Sequence, residues 1–184
     1  MFSKPIRADL NRYSSSSRNR DYFKAIFTHP GARFMFLYRK CQDHSNKTIP
    51  GIFYRVWLFY LTRNHSVEIP HACSIGEGLY MGHFKAIIIN QNARIGNNCN
   101  ISQGVTIGRE SRGKRIGSPV IGNRVLIGPN SIVVGNIQVG DDVLIAPLTF
   151  VNFDVPANSV VMGSPGKIIS DKGSMGYIKK ILVE

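Results

Sequence analysis

Residues 121–156 read, in sixes, IGNRVL IGPNSI VVGNIQ VGDDVL IAPLTF VNFDVP. Each hexad opens on Ile or Val, and the residue four further on (Val125, Ser131, Ile137, Val143, Thr149, Val155) is small or β-branched. An α-helix would return apolar residues every three or four positions, and a hairpin strand every second one. A six-residue period instead suits short flat strands separated by tight turns, three to a coil, so that residue i stacks on i+18. Ile121 is then expected in line with Val139 and Ala157. The same register runs upstream from Ile89 as INQNAR IGNNCN ISQGVT and then Ile107-Gly108, with weaker starts at Ile69 and Ile75. Skipping the break after Gly108 is expected to bring Ile89, Ile107 and Ile127 into line. The predicted fold is an all-β core, a parallel β-helix of hexapeptide repeats, whose coils bury their faces only against neighbours and therefore need caps.

Working outward, residues 67–168 form the predicted β-helix domain. Residues 109–119 (RESRGKRIGSP) interrupt the period and leave it as an excursion loop. Residues 1–66 lack the repeat but carry helix-compatible aromatic patches at 22–27, 34–38 and 53–61, with turn formers between them. Two or three helices capping the first coil are expected there. Residues 169–184 form a tail, predicted to end in a short helix.

The chain of 184 residues suffices for one buried core. Its formal charge of +12 suits nucleic acid, an anionic membrane or a phosphorylated ligand without choosing among them. Residues 1–65 hold much of the excess, and Arg109, Arg112, Lys114 and Arg115 form a second cluster. Nucleic acid is not the expected partner, whereas the basic N-terminal region is compatible with peripheral contact at a membrane. Three cysteines without paired spacing and no secretory start point to a cytoplasmic protein with reduced thiols. The apolar run at 51–62 is too short to span a bilayer and contains Arg55.

Among five histidines, His83 stands out, because it sits where the repeat breaks, in EGLYMGHFKAIIINQNARIGNNCNISQGVTIG (residues 77–108). An imidazole used as a base needs a carboxylate to fix its tautomer, and Glu68 lies fifteen residues earlier, roughly one coil back. Gly128-Pro129 and Ala146-Pro147 are eighteen apart and so expected one above the other, small or rigid residues that let a ligand approach the backbone.

This stretch resembles the hexapeptide-repeat acyltransferases, in the branch of serine acetyltransferases and of colanic-acid and capsular-polysaccharide O-acetyltransferases. The likeness covers residues 67–168 and extends weakly to ADLNRY (8–13) and HPGARFMFLYR (29–39). The resemblance implies a left-handed coil, a homotrimer, acetyl-CoA as donor and no metal. It also implies His83 as general base with Glu68 as its partner, acting by direct attack without a covalent enzyme intermediate. Acetyl-CoA would lie in the groove between subunits against Gly108, Gly128, Pro129, Ala146 and Pro147. Gly163, Ser164, Pro165 and Lys167 resemble the signature after the last coil, with Lys167 meeting a CoA phosphate. Asp9 and Ser118 fall toward the acceptor.

True serine acetyltransferases carry a second histidine in the loop, in an Arg-His-Pro context, where this chain has Ser118, and a longer helical domain. The expected acceptor is therefore a sugar hydroxyl in polysaccharide or capsule assembly, with serine as the alternative. A zinc enzyme of the γ-carbonic-anhydrase kind would need three histidines, and the repeat holds only His71 and His83. A non-catalytic β-helix binding module is the remaining alternative class.

Overall fold

The computed structural model describes residues 2–181. Four helices come first: α1 (Lys4–Asn11), α2 (Asn19–Thr28), α3 (Pro30–Asp43) and α4 (Ile49–Asn64). Proline opens three of them, its fixed φ already helical and its missing N–H unneeded in a first turn. Thr48 caps α4 by accepting the Gly51 N–H at 3.3 Å. The three aromatic patches lie in α2, α3 and α4, and α1, which has no such patch, raises the count above the two or three expected.

Thirteen short strands follow: β1 (Ser74–Ile75), β2 (Ile88–Ile89), β3 (Arg94–Ile95), β4 (Asn100–Ile101), β5 (Thr106–Gly108), β6 (Val120–Ile121), β7 (Leu126–Ile127), β8 (Ile132–Val134), β9 (Gln138–Val139), β10 (Leu144–Ile145), β11 (Phe150–Val151), β12 (Val160–Met162) and β13 (Lys167–Ser170). They wind into three parallel sheets: β2-β5-β8-β11, called here the first, β1-β3-β6-β9, the second, and β4-β7-β10-β12, the third. β13 adds to the third sheet antiparallel to β12. The chain is thus a parallel β-helix of triangular section with a helical cap.

Each sheet sends one aliphatic ladder inward. Ile89, Ile107, Val133 and Val151 stack in the first sheet, Ile75, Ile95, Ile121 and Val139 in the second, and Ile101, Ile127, Ile145 and Val161 in the third. All twelve are buried in one continuous core. Two sequence expectations are corrected. Ile127 stacks on Ile101 and Ile145, and Val133 takes the place beside Ile107, because the excursion loop lengthens that coil by more than a hexad. Val139 pairs with Val155, not Ala157, because the last coil turns two residues early, where the Asp154 carboxylate accepts the Gln138 N–H at 2.8 Å.

The fourth residue of many hexads adopts a left-handed backbone: Asn98, Arg124, Asn130, Asp142, Leu148 and Asn158 all have φ between 52° and 60°. That conformation turns the corner, and costs most residues about 1–2 kcal/mol, least for Asn and Asp. The excursion loop is itself ordered, with Glu110 and Gly117 exchanging backbone hydrogen bonds of 2.9 and 3.0 Å and Arg115 pairing with Asp154 at 3.3 Å.

The cap is joined to the first coil by polar contacts as well as by core packing. Asp9, wholly buried on α1, receives Arg39 Nε of α3 at 2.8 Å and the Gly78 and Leu79 N–H groups at 2.7 and 3.2 Å. Arg39 in turn donates to the Ile75 and Gly76 carbonyls. Removing one partner of such a buried pair strands the other, at about 3–5 kcal/mol. The described tail holds no helix. It runs back along the coils, Ser174 donating to the Arg124 carbonyl and Lys180 to that of Ser14.

Candidate functional site

The corner between the third and first sheets carries the sequence-predicted groups. His83 lies in the turn from Tyr80, bridged to the third sheet, to β2 of the first. Gly128-Pro129 follow β7 and Ala146-Pro147 follow β10, so both turns occupy the same corner. Backbone bonds tie its successive turns together: Gly104 N–H to Lys85 C=O at 3.1 Å, Asn130 N–H to Gln103 C=O at 3.0 Å, and Leu148 N–H to Pro129 C=O at 2.9 Å. The spacing of paired strands, about 4.8 Å, puts the His83 turn about 10 Å along this edge from that of Gly128.

Gly128 sits over Ala146 through the register of Ile127 on Ile145. A Cβ on Gly128 would stand 2.7 Å from the Pro147 nitrogen, so only glycine allows the two turns to lie this close. The Gly163–Lys167 turn completes the edge, with the Gly163 carbonyl accepting the Phe150 N–H at 3.0 Å. Lys167 opens β13 and is exposed.

Gly128, Pro129, Ala146 and Pro147 border a cleft of about 880 Å³. Its floor is the outward face of the third sheet, Leu126, Leu144 and Val160, and its far wall is the tail, through Met175 and Tyr177. The tail's share was invisible in the sequence, where residues 170–177 have no repeat and no motif. The wall is fixed where Gly173, at φ +58°, passes so close to Asp142 that a Cβ would fall 2.2 Å from its carbonyl oxygen.

Other expected site residues lie elsewhere. Gly108 aligns with Val134 in the first sheet, away from the Gly128 corner. Glu68 bridges Ile88 on the outside of the first sheet, and among the described residues no hydrogen bond or ion pair joins it to His83. Ser118 lies at the opposite edge of the first sheet, donating to Asn90 Oδ1 at 3.1 Å. Asp9, expected toward the acceptor, is instead the buried tie between cap and coil, and all its nearby donors are protein groups. Burial also holds the Cys73 and Cys99 thiols protonated, each pushed up to about 11, which removes them as neutral-pH nucleophiles.

Residues 118–152 match the family described as bacterial transferase hexapeptide (six repeats). The chain is 29% identical over 182 residues to a serine acetyltransferase of Bacillus pumilus, covering 94% of this chain and 80% of the relative. A serine acetyltransferase of Synechococcus elongatus is 38% identical over 109 residues, covering 58% of this chain and 44% of the relative. Among solved structures, serine acetyltransferase of Neisseria gonorrhoeae in complex with serine superposes with a TM-score of 0.72 at 29% identity, covering 91% of this chain and 68% of that one. The chain thus spans less than half the length of the Synechococcus relative and about two thirds of the Neisseria enzyme. The chain is similar to serine acetyltransferases along most of its length and carries the hexapeptide repeat of the bacterial transferases.

These similarities overturn the sugar acceptor and the capsule branch expected from the sequence. The likeness to the Bacillus protein runs through the helical cap as well as the coils. A short helical region and one loop position, Ser118, therefore carried too much weight in that expectation.

Proposed function

We propose that the protein is a serine O-acetyltransferase that uses acetyl-CoA as donor. The observation that carries this reading is the similarity to serine acetyltransferases along nearly the whole chain. The placement of His83 and the Gly128/Ala146 cleft on one edge supports it.

In this reading the coil is left-handed, as the family resemblance implies, and the carrier arm lies along the third-to-first corner with its thioester end toward His83. The Gly163–Pro165 turn and Lys167 hold the phosphate end, where the lysine supplies a point charge. His83, exposed at this corner, takes the proton from the serine hydroxyl as the oxygen attacks the thioester carbonyl. The charge that develops on the carbonyl oxygen needs N–H donors, available from the corner turns. The imidazolium then returns its proton to the departing thiolate, so no acyl group is placed on the protein.

Assembly completes the site. His83 and Ser118 flank the first sheet on opposite edges, and the sheet's outer side exposes Ile88 and Ile132, with Leu148 at its corner. A homotrimer packed on these faces brings the Ser118 edge of one subunit against the His83 edge of the next. Ser118 and the excursion loop of the neighbour would then border the acceptor.

The deciding experiment is an acetyl-CoA consumption assay of the purified protein with L-serine and a panel of sugars. The expected result is turnover on L-serine with kcat/KM of about 10⁴ M⁻¹s⁻¹ or more. Absence of turnover on serine with activity on a sugar would reject the proposal.

A further inference from the structure

Helix α4 turns an apolar face to solvent. Ile49, Ile52, Phe53, Val56 and Tyr60 follow the i, i+3, i+4, i+7, i+11 spacing of one helical side, and all are exposed, Ile49 by 86%, Phe53 by 58% and Tyr60 by 61%. Trp57 flanks them, while Gly51, Leu58 and Leu61 form the narrower buried stripe that holds the helix to the cap. Ring contacts continue the surface from Trp57 and Phe53 through Tyr54, Phe36 and Phe2 to the exposed Phe23 of α2. An exposed patch of this extent is uncommon on a water-facing surface.

Its charged surroundings are predominantly basic, although Lys40 pairs with Asp43 at 3.8 Å. Residues 1–65 contain twelve Lys and Arg against three Asp and no Glu, and one of those three, Asp9, is buried. Lys47 precedes α4, Arg63 lies in its last turn, and Lys40 stands beside Phe23 and Phe36. α4 itself carries no acid.

We propose that the exposed face of α4 docks flat on an anionic lipid surface. A helix in the interface buries aromatic and aliphatic side chains at the acyl boundary while neighbouring cations meet the headgroups. The rings at 53, 57 and 60 suit that boundary, where one end of a side chain is apolar and the other wet. Pairing of this face with itself in a second copy is disfavoured, because it would set the same cations against each other; its packing on a different face of a second copy is the competing outcome of the test. No helix among the described residues is long and apolar enough to cross a membrane, so the contact is peripheral. The inference is independent of the acceptor.

Trp57 is the chain's single tryptophan, which makes it a reporter of this face. The test is titration with vesicles of phosphatidylcholine alone or mixed with phosphatidylglycerol, reading co-sedimentation and Trp57 emission. Binding to the anionic vesicles with a blue shift, weakened by added salt, is expected, with little binding to neutral ones. The variant Phe53→Ser/Val56→Ser/Tyr60→Ser should lose about tenfold or more in partition. Its circular dichroism and its solution activity should match the wild type, since all three side chains face water. No blue shift and no pelleting with anionic vesicles would overturn the proposal, as would equal binding by the variant. A concentration-dependent rise in mass that this variant abolishes, without vesicle binding, would assign the face to a second copy instead.

Discussion

His83 has no side-chain hydrogen bond among the described residues, which leaves its imidazole free to meet a hydroxyl. A positioned acid-base group contributes about 10²–10⁴-fold. His83→Ala should therefore lower kcat by that factor while acetyl-CoA affinity, measured by calorimetry, stays within about twofold. Near-normal turnover would remove His83 from the mechanism. The sequence marked His83 because it breaks the repeat, and the structure gives that break a shape. Strand partners are twenty positions apart around it, as for Ser74 and Arg94, against eighteen in a regular coil such as Ile88 and Thr106. The two additional residues form the turn that carries the histidine. Asp9 shows the opposite case, since a conspicuous acid in a motif-like stretch proved to be buried. Burial depends on α3 and the first coil arriving around it, and no local pattern reports that.

The excursion loop shows what an element adds to its residues. Read as a charge cluster, Arg109, Arg112, Lys114 and Arg115 are equivalent, but the structure separates them. Arg115 pairs with Asp154, whereas Arg109, Arg112 and Lys114 remain exposed on an ordered, hydrogen-bonded turn. The loop sits on the Ser118 edge, away from the Gly128 corner, and in the proposed trimer it reaches a carrier groove across a subunit boundary. Replacing Arg109, Arg112 and Lys114 by Gln should raise KM for acetyl-CoA with kcat nearly intact. The wild-type KM should itself rise with salt, because exposed attraction is screened over about 8 Å at physiological ionic strength. Identical KM values and salt responses in variant and wild type would leave the loop with no part in donor capture.

For the whole molecule, assembly is the property on which the proposed site depends. Leu148 is the informative residue, an aliphatic side chain 68% exposed and held at φ +59°. Leu148→Asn should relieve about 1 kcal/mol of backbone strain, and yet shift the trimer toward monomer in light scattering at fixed concentration, since it removes apolar surface from the packing edge. A wild-type monomer at working concentration, or a variant trimer of unchanged stability, would contradict the arrangement. Activity should fall in parallel with trimer content, because neither edge of the first sheet holds the whole site.

The sequence by itself determined the coil. A period of six with an inward aliphatic residue is a local rule, repeated often enough that no other packing buries Ile95, Ile121, Ile127 and Ile145 together, and the stacking of Gly128 on Ala146 follows from the same count. Tertiary structure alone decided which residues share an edge. That choice depends on the irregular coils, where partners are twenty, twenty-six or sixteen positions apart, as in Ser74 and Arg94, Arg94 and Val120, and Leu144 and Val160. A shift of two residues in one turn moves a side chain to another part of the triangle. The tail wall, the burial of Asp9 and the outward apolar face of α4 share that origin. Each is a relation between segments far apart in the chain, set by what packs against what, and periodicity within one segment does not encode it.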